Sequence, residues 1–99
     1  MRGGVNSEFQ KLGPNSAKSA KGFTVIFRPT GGVEYSDASG TIHVDSELLV
    51  KPSLGILLYP QSKGFRGVTG SRVEEVLANI AGALEYLANR VEIYRVEKW

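Results

Sequence analysis

The sequence contains no cysteine, which excludes a disulfide framework, a thiol nucleophile and a cysteine-ligated zinc. It has a single histidine, so any Ser-His-Asp chemistry has to be assembled around His43, and a zinc site would need three carboxylates or a second chain. No metal or cofactor is expected. No stretch approaches the roughly 18 continuous apolar residues that a membrane-crossing helix requires, and the N-terminus lacks the apolar run of a signal peptide. These absences favour a soluble, cytoplasmic chain. Neither the phosphate-loop pattern nor the dinucleotide glycine fingerprint is present.

Charge of either sign is not in great excess, the net value being +2. It is unevenly placed: residues 1–22 carry Arg2, Lys11, Lys18 and Lys21 against Glu8, leaving the remainder at −1. The basic character belongs to the leading segment and is poor evidence for a polyanion-binding face on the rest. Residues 1–22 are rich in Gly, Ser, Asn and Lys with isolated apolar residues, and read as a flexible leader ahead of one domain over 23–99.

From Phe23 the texture changes. Phe23-Thr24-Val25-Ile26-Phe27 is β-branched and aromatic and stops at Arg28-Pro29-Thr30-Gly31-Gly32, so it reads as a strand followed by a turn. Val33–Ser36 and Thr41–Asp45 alternate apolar and polar residues around the turn Asp37-Ala38-Ser39-Gly40, the pattern of a hairpin. Glu47–Val50 either prolongs the second strand of that hairpin or bends it. Gly55–Tyr59 is apolar on both faces and reads as a central strand, and Val91–Val96 as a last one.

Between these lies the clearest element, a helix over Ser71–Asn89. Ser71 and Glu74 have the spacing of a capping box, and Val73, Val76, Leu77, Ile80, Leu84 and Leu87 form one apolar stripe widened by Ala81 and Ala88. Asn89 suits the C-terminal cap, and the smallness of Ala81-Gly82-Ala83 suits a close approach. The expected class is α+β: an antiparallel sheet of about five strands in the order ββββαβ, with the helix on one face. Phe23, Val25, Phe27, Val33, Tyr35, Ile42, Val44, Ile56 and Leu58 are the strand residues expected to meet the helical stripe.

Two places suit chemistry or recognition. His43 and Asp45 share a strand face, the arrangement of a base and its orienting carboxylate, and equally of two solvated side chains. The loop Lys63-Gly64-Phe65-Arg66-Gly67-Val68-Thr69-Gly70 leads into the helix with Lys63, Arg66 and Arg72 nearby and no acid between Pro60 and Arg72, which suits an anion. Phe65 and Arg66 are also the residue types that anchor protein partners. Lys63, Phe65, Arg66 and Arg72 are therefore the expected partner-binding set.

The run Gly40-Thr41-Ile42-His43-Val44-Asp45-Ser46-Glu47-Leu48-Leu49, then Pro52 through Tyr59, a loop with an aromatic, and Val76-Leu77-Ala78-Asn79-Ile80 to Leu84 ahead of Val91-Glu92-Ile93, resembles a small immunity-protein family of bacterial polymorphic toxin systems. The resemblance implies a compact α+β protein that neutralises a cognate toxin by binding it, without catalysis. A protein-binding module is accordingly the leading functional expectation. The alternative is a single-stranded nucleic-acid binder stacking bases on Phe23, Phe27, Tyr35, Tyr59 and Phe65 beside Arg28, Lys63 and Arg66. Trp99 ends the sequence, and a homodimer through an edge strand is a further expected association.

Overall fold

A computed structural model describes residues 8–51, 54–65, 68, 70–87 and 89–94, the side chains of residues 62 and 63 excepted. The chain meanders through six strands: β1 (Phe9–Gly13), β2 (Ser16–Ser19), β3 (Thr24–Arg28), β4 (Gly32–Asp37), β5 (Gly40–Leu49) and β6 (Gly55–Tyr59). A short 3-10 turn (Ser62–Phe65) and helix α1 (Gly70–Tyr86) then carry it across to β7 (Arg90–Ile93). The seven strands lie in chain order in one curled sheet, antiparallel throughout except that β7 runs parallel to β6.

The turns explain the meander. Asp37 pairs with Gly40 across a tight turn in which Asp37 Oδ1 accepts the Ser39 N–H at 2.8 Å, and Gly40 takes a positive φ that a β-carbon would oppose. Gly32 is equally constrained. Its φ is +82°, and a β-carbon there would meet the Val44 carbonyl at 2.8 Å and His43 Nε2 at 2.9 Å.

The sheet buries Phe23, Val25, Phe27, Val33, Tyr35, Val44, Ile56 and Leu58 against Val73, Val76, Leu77, Ile80, Ala83 and Leu84 of α1. Of the strand residues expected in the core, Ile42 alone is only partly buried. The helix already includes Gly70 and Ser71, so Ser71 lies inside its first turn and not at the cap that the capping-box reading gave it, and the residue before Gly70 lies outside the described residues. Its end is closed by Asn89, whose backbone N–H and Nδ2 both donate to the Leu84 carbonyl, at 3.0 and 3.2 Å.

Two expectations are corrected. The sheet has seven strands, not about five, because residues 8–22 of the stretch read as a flexible leader supply β1 and β2. These strands bury small or isolated side chains: Ala17 and Ser19 are inside, and Phe9 reaches across the helix. Its ring stacks on Tyr86 with centroids 5.3 Å apart, meets Phe23 edge-on at 6.1 Å, and lies over Gly82, where a β-carbon would touch it at 3.7 Å. The smallness of the helix at Gly82 thus admits an aromatic from β1. The sheet is also mixed, not antiparallel, because a helix between β6 and β7 returns the chain to the end it left, and such a crossover pairs strands in parallel.

Phe9→Ala removes a partly buried ring that ties β1 to the helix. It is expected to lower stability by about 1–3 kcal/mol in urea unfolding, below the cost of emptying a fully buried phenylalanine site. A change near zero would mean that the hairpin of β1 and β2 contributes nothing to the folded core.

Candidate functional site

The described surface has two features that stand apart: a polar depression at one end of the helix and an apolar hairpin at another place on the sheet. The depression has a volume of about 510 Å³ and lies between the β2–β3 turn, the β4–β5 turn and the first half of α1. Arg72, Glu75 and Asn79 follow one another along the helix beside its buried stripe, and each faces into it. Tyr35 and Asp37 reach it from β4, and Lys21 stands at its rim.

Its polar groups are bound to one another. The Arg72 guanidinium pairs with Asp37 through one terminal nitrogen and with Glu75 through the other, the latter at 2.5 Å. Asn79 Nδ2 donates to the Tyr35 hydroxyl at 3.3 Å, and Asp37 lies beside that hydroxyl in the same depression. Lys21 approaches Glu8 at 3.8 Å, and Ser19 Oγ donates to the same carboxylate at 3.2 Å.

Burial by itself would raise the Asp37 carboxyl. The Ser39 N–H, the Tyr35 hydroxyl and the Arg72 guanidinium outweigh it and hold Asp37 below its ordinary value. Burial, with Asp37 beside it, pushes the Tyr35 hydroxyl up. The bond to Glu75 holds Arg72 more firmly charged. An ionised Asp37 engaged by the Ser39 N–H and the Arg72 guanidinium is a poor proton acceptor for a substrate, and the arrangement acts as an ionic pin that joins the β4–β5 turn to the start of the helix.

The sequence-derived set falls apart by placement. Arg72 belongs to the pin. Phe65 is 3% exposed and packs in the core, because the short turn Ser62–Phe65 lies against β5 so closely that a β-carbon at Gly64 would overlap the His43 carbonyl. The Lys63 side chain and Arg66 lie outside the described residues. Of the aromatics expected to stack on bases, Phe23, Phe27, Tyr35 and Phe65 are buried, and only Tyr59 reaches the surface. His43 Nε2 and Asp45 Oδ1 do come together, at 3.3 Å, on an open face where both side chains are about half exposed (49% and 48%). Neither residue lines the depression. Among the described residues no group of three or more His, Asp or Glu side chains is arranged to hold a metal ion, and no helix is long and apolar enough to cross a membrane.

Sequence reasoning missed Tyr35, Asp37, Glu75 and Asn79 as a cluster. Asp37 read as turn chemistry and Tyr35 as core, and only the fold brings a turn residue to a helix residue 35 positions away. The one available signal was the spacing of Arg72, Glu75 and Asn79 along a single helical flank.

The second feature is apolar. Val50 and Leu54, 64% and 65% exposed, flank the β5–β6 turn, and Leu48 just before them is also exposed. Leu48 pairs with Ile56 of the core and shares its face, yet is 43% exposed. Compared with protein-family models, curated proteins and solved structures, the chain has no significant match.

Because Asp37 titrates below its ordinary value of 3.8 in the folded chain, the unfolded chain takes up the proton first as pH falls. Its contribution to stability is present above that value and is lost as pH drops through the lower native one. Asp37→Asn is therefore expected to be less stable than the parent near neutral pH, with the gap narrowing on acidification to about pH 2. Urea unfolding of both chains across that range measures it, and a gap independent of pH would remove Asp37 from the pin.

Proposed function

We propose that this chain is a non-enzymatic protein-binding module whose partner is a toxin that it neutralises by contact, as an immunity protein does. The observation that carries the reading is the exposed Leu48, Val50 and Leu54 on one hairpin. Single exposed leucines are ordinary, but several large apolar side chains gathered about one turn are a surface suited to burial against another protein.

The polar end of the molecule supports the same reading by contrast. Its acids and bases are engaged with each other in the pin, and the His43–Asp45 pair stands on an open face with both side chains about half exposed to water. The motif resemblance to the immunity family runs through this hairpin, from Gly40 to Tyr59, and adds to the reading.

The test is co-purification with the product of the adjacent gene, with that product's toxicity measured in the presence and absence of this chain. A complex and rescue of growth are expected. Val50→Asp combined with Leu54→Asp leaves folding nearly unchanged, since exposed sites shift stability by about 0.5 kcal/mol or less, and weakens the complex at least about tenfold. No complex and no rescue, or a double variant that binds like the parent, would overturn the proposal.

A further inference from the structure

Strand β7 ends the sheet, and among the described strands none pairs with its outer edge. The Tyr94 N–H donates to the Leu58 carbonyl at 2.9 Å, which fixes the orientation of the strand. Backbone polar groups alternate sides along a strand, so those of Arg90 and Glu92 also face β6, whereas the N–H and C=O of Val91 and Ile93 point away from the sheet. Such a row of outward donors and acceptors is a template for another strand, and proteins usually blunt it with lysine, proline or a bulge. The opposite edge follows that practice: β1 carries Lys11 and an irregular register between Lys11 and Gly13. Arg90-Val91-Glu92-Ile93 has no lysine, proline or bulge, and its two charges are of opposite sign, so a register that sets them against each other does not repel a second copy.

The side chains on this edge are self-complementary. Two copies of one edge strand related by a two-fold axis pair antiparallel about a residue, with each residue opposite one of the same parity. Centring on Glu92 would set two carboxylates against each other. Centring on Val91 sets Arg90 opposite Glu92 twice and Val91 opposite Val91, and it uses an outward-facing residue at the middle, where two backbone bonds are exchanged.

We infer that a second copy of this chain docks antiparallel on β7 in the register centred on Val91, placing Arg90 of each copy opposite Glu92 of the other. Within one chain Arg90 already pairs with Glu92 and donates to the Lys51 carbonyl at 3.2 Å. The dimer exchanges the first contact for its equivalent across the two-fold axis, so the charges select the register and the backbone bonds and apolar contacts hold it. Ile93 and Tyr94, exposed in the single chain, lie at the margin of the joined sheets. This inference does not depend on the toxin-binding reading.

Sedimentation equilibrium of the full chain from about 1 μM to about 1 mM is expected to show a concentration-dependent rise toward twice the monomer mass. Arg90→Glu alone and Glu92→Arg alone each place like charges opposite one another and are expected to weaken self-association at least about tenfold. A 1:1 mixture of the two variants restores opposite charges at both positions and is expected to recover it. Hydrogen exchange on the unaltered chain supplies a second readout: the Val91 and Ile93 amides are expected to slow as concentration rises. A parent chain that stays monomeric, single variants that associate like the parent, a mixture that does not recover, or amides indifferent to concentration would each overturn the proposal. Parent-like association of the single variants would point to a dimer seated elsewhere, such as the Val50–Leu54 hairpin.

Discussion

Along β5 the sheet changes hands. Gly40 to Val44 bond to β4 on one edge, and Asp45 to Leu49 bond to β6 on the other, so a single ten-residue strand carries both halves of the molecule. Because the two partners are offset along it, the sheet shears and curls, and the hollow this makes is where the helix lies. The hand-over has a local cost. Ser46, at the joint, has a buried hydroxyl oxygen with no hydrogen-bond partner among the described residues, of the order of 1–3 kcal/mol for such a group. The burial of Val44, Ile56 and Leu58 around it outweighs that loss.

The curl also decides what can touch what. It brings the β4–β5 turn to the start of the helix, where Asp37 meets Arg72, and the N-terminal hairpin to its far end, where Phe9 meets Tyr86. One end of the helix is therefore held by charge and the other by aromatic stacking, with aliphatic side chains between them. The ionic contact is partly sheltered, the Asp37 side chain being 13% exposed, which protects it from the screening that makes open surface pairs nearly worthless. Among the described residues, the curl leaves uncovered the exposed end of the β5–β6 hairpin and the outer edges of β1 and β7.

Where local pattern and tertiary environment agree, the sequence was readable. The apolar stripe of α1 and the alternation of Val33, Tyr35, Val44, Ile56 and Leu58 located the core, because burying one face imposes a period on the side chains. Helix boundaries and whether Glu47–Val50 prolongs or bends β5 were less legible, since both depend on partners far along the chain, and the strand in fact runs on unbroken to Leu49. The N-terminal hairpin escaped notice because Ala17 and Ser19 are small: a close approach of backbones buries them without any hydrophobic signal. The parallel direction of β7 was missed because short connections elsewhere favour hairpins, and only the length of the crossover argues otherwise. The polar depression was illegible for a related reason, as Asp37 and Tyr35 each had a sufficient local explanation.

Every strand pair from β1 to β6 joins neighbours in the chain, while β6 and β7 meet only after the whole helix has been laid down between them. In kinetic terms the meander has low contact order, and the parallel pair closes the longest loop. The closing strand is short, with four residues, so it forms late and opens early. When it opens, the apolar β6 becomes the temporary border of the sheet, and the species most exposed to misassembly is a nearly native one lacking its last strand.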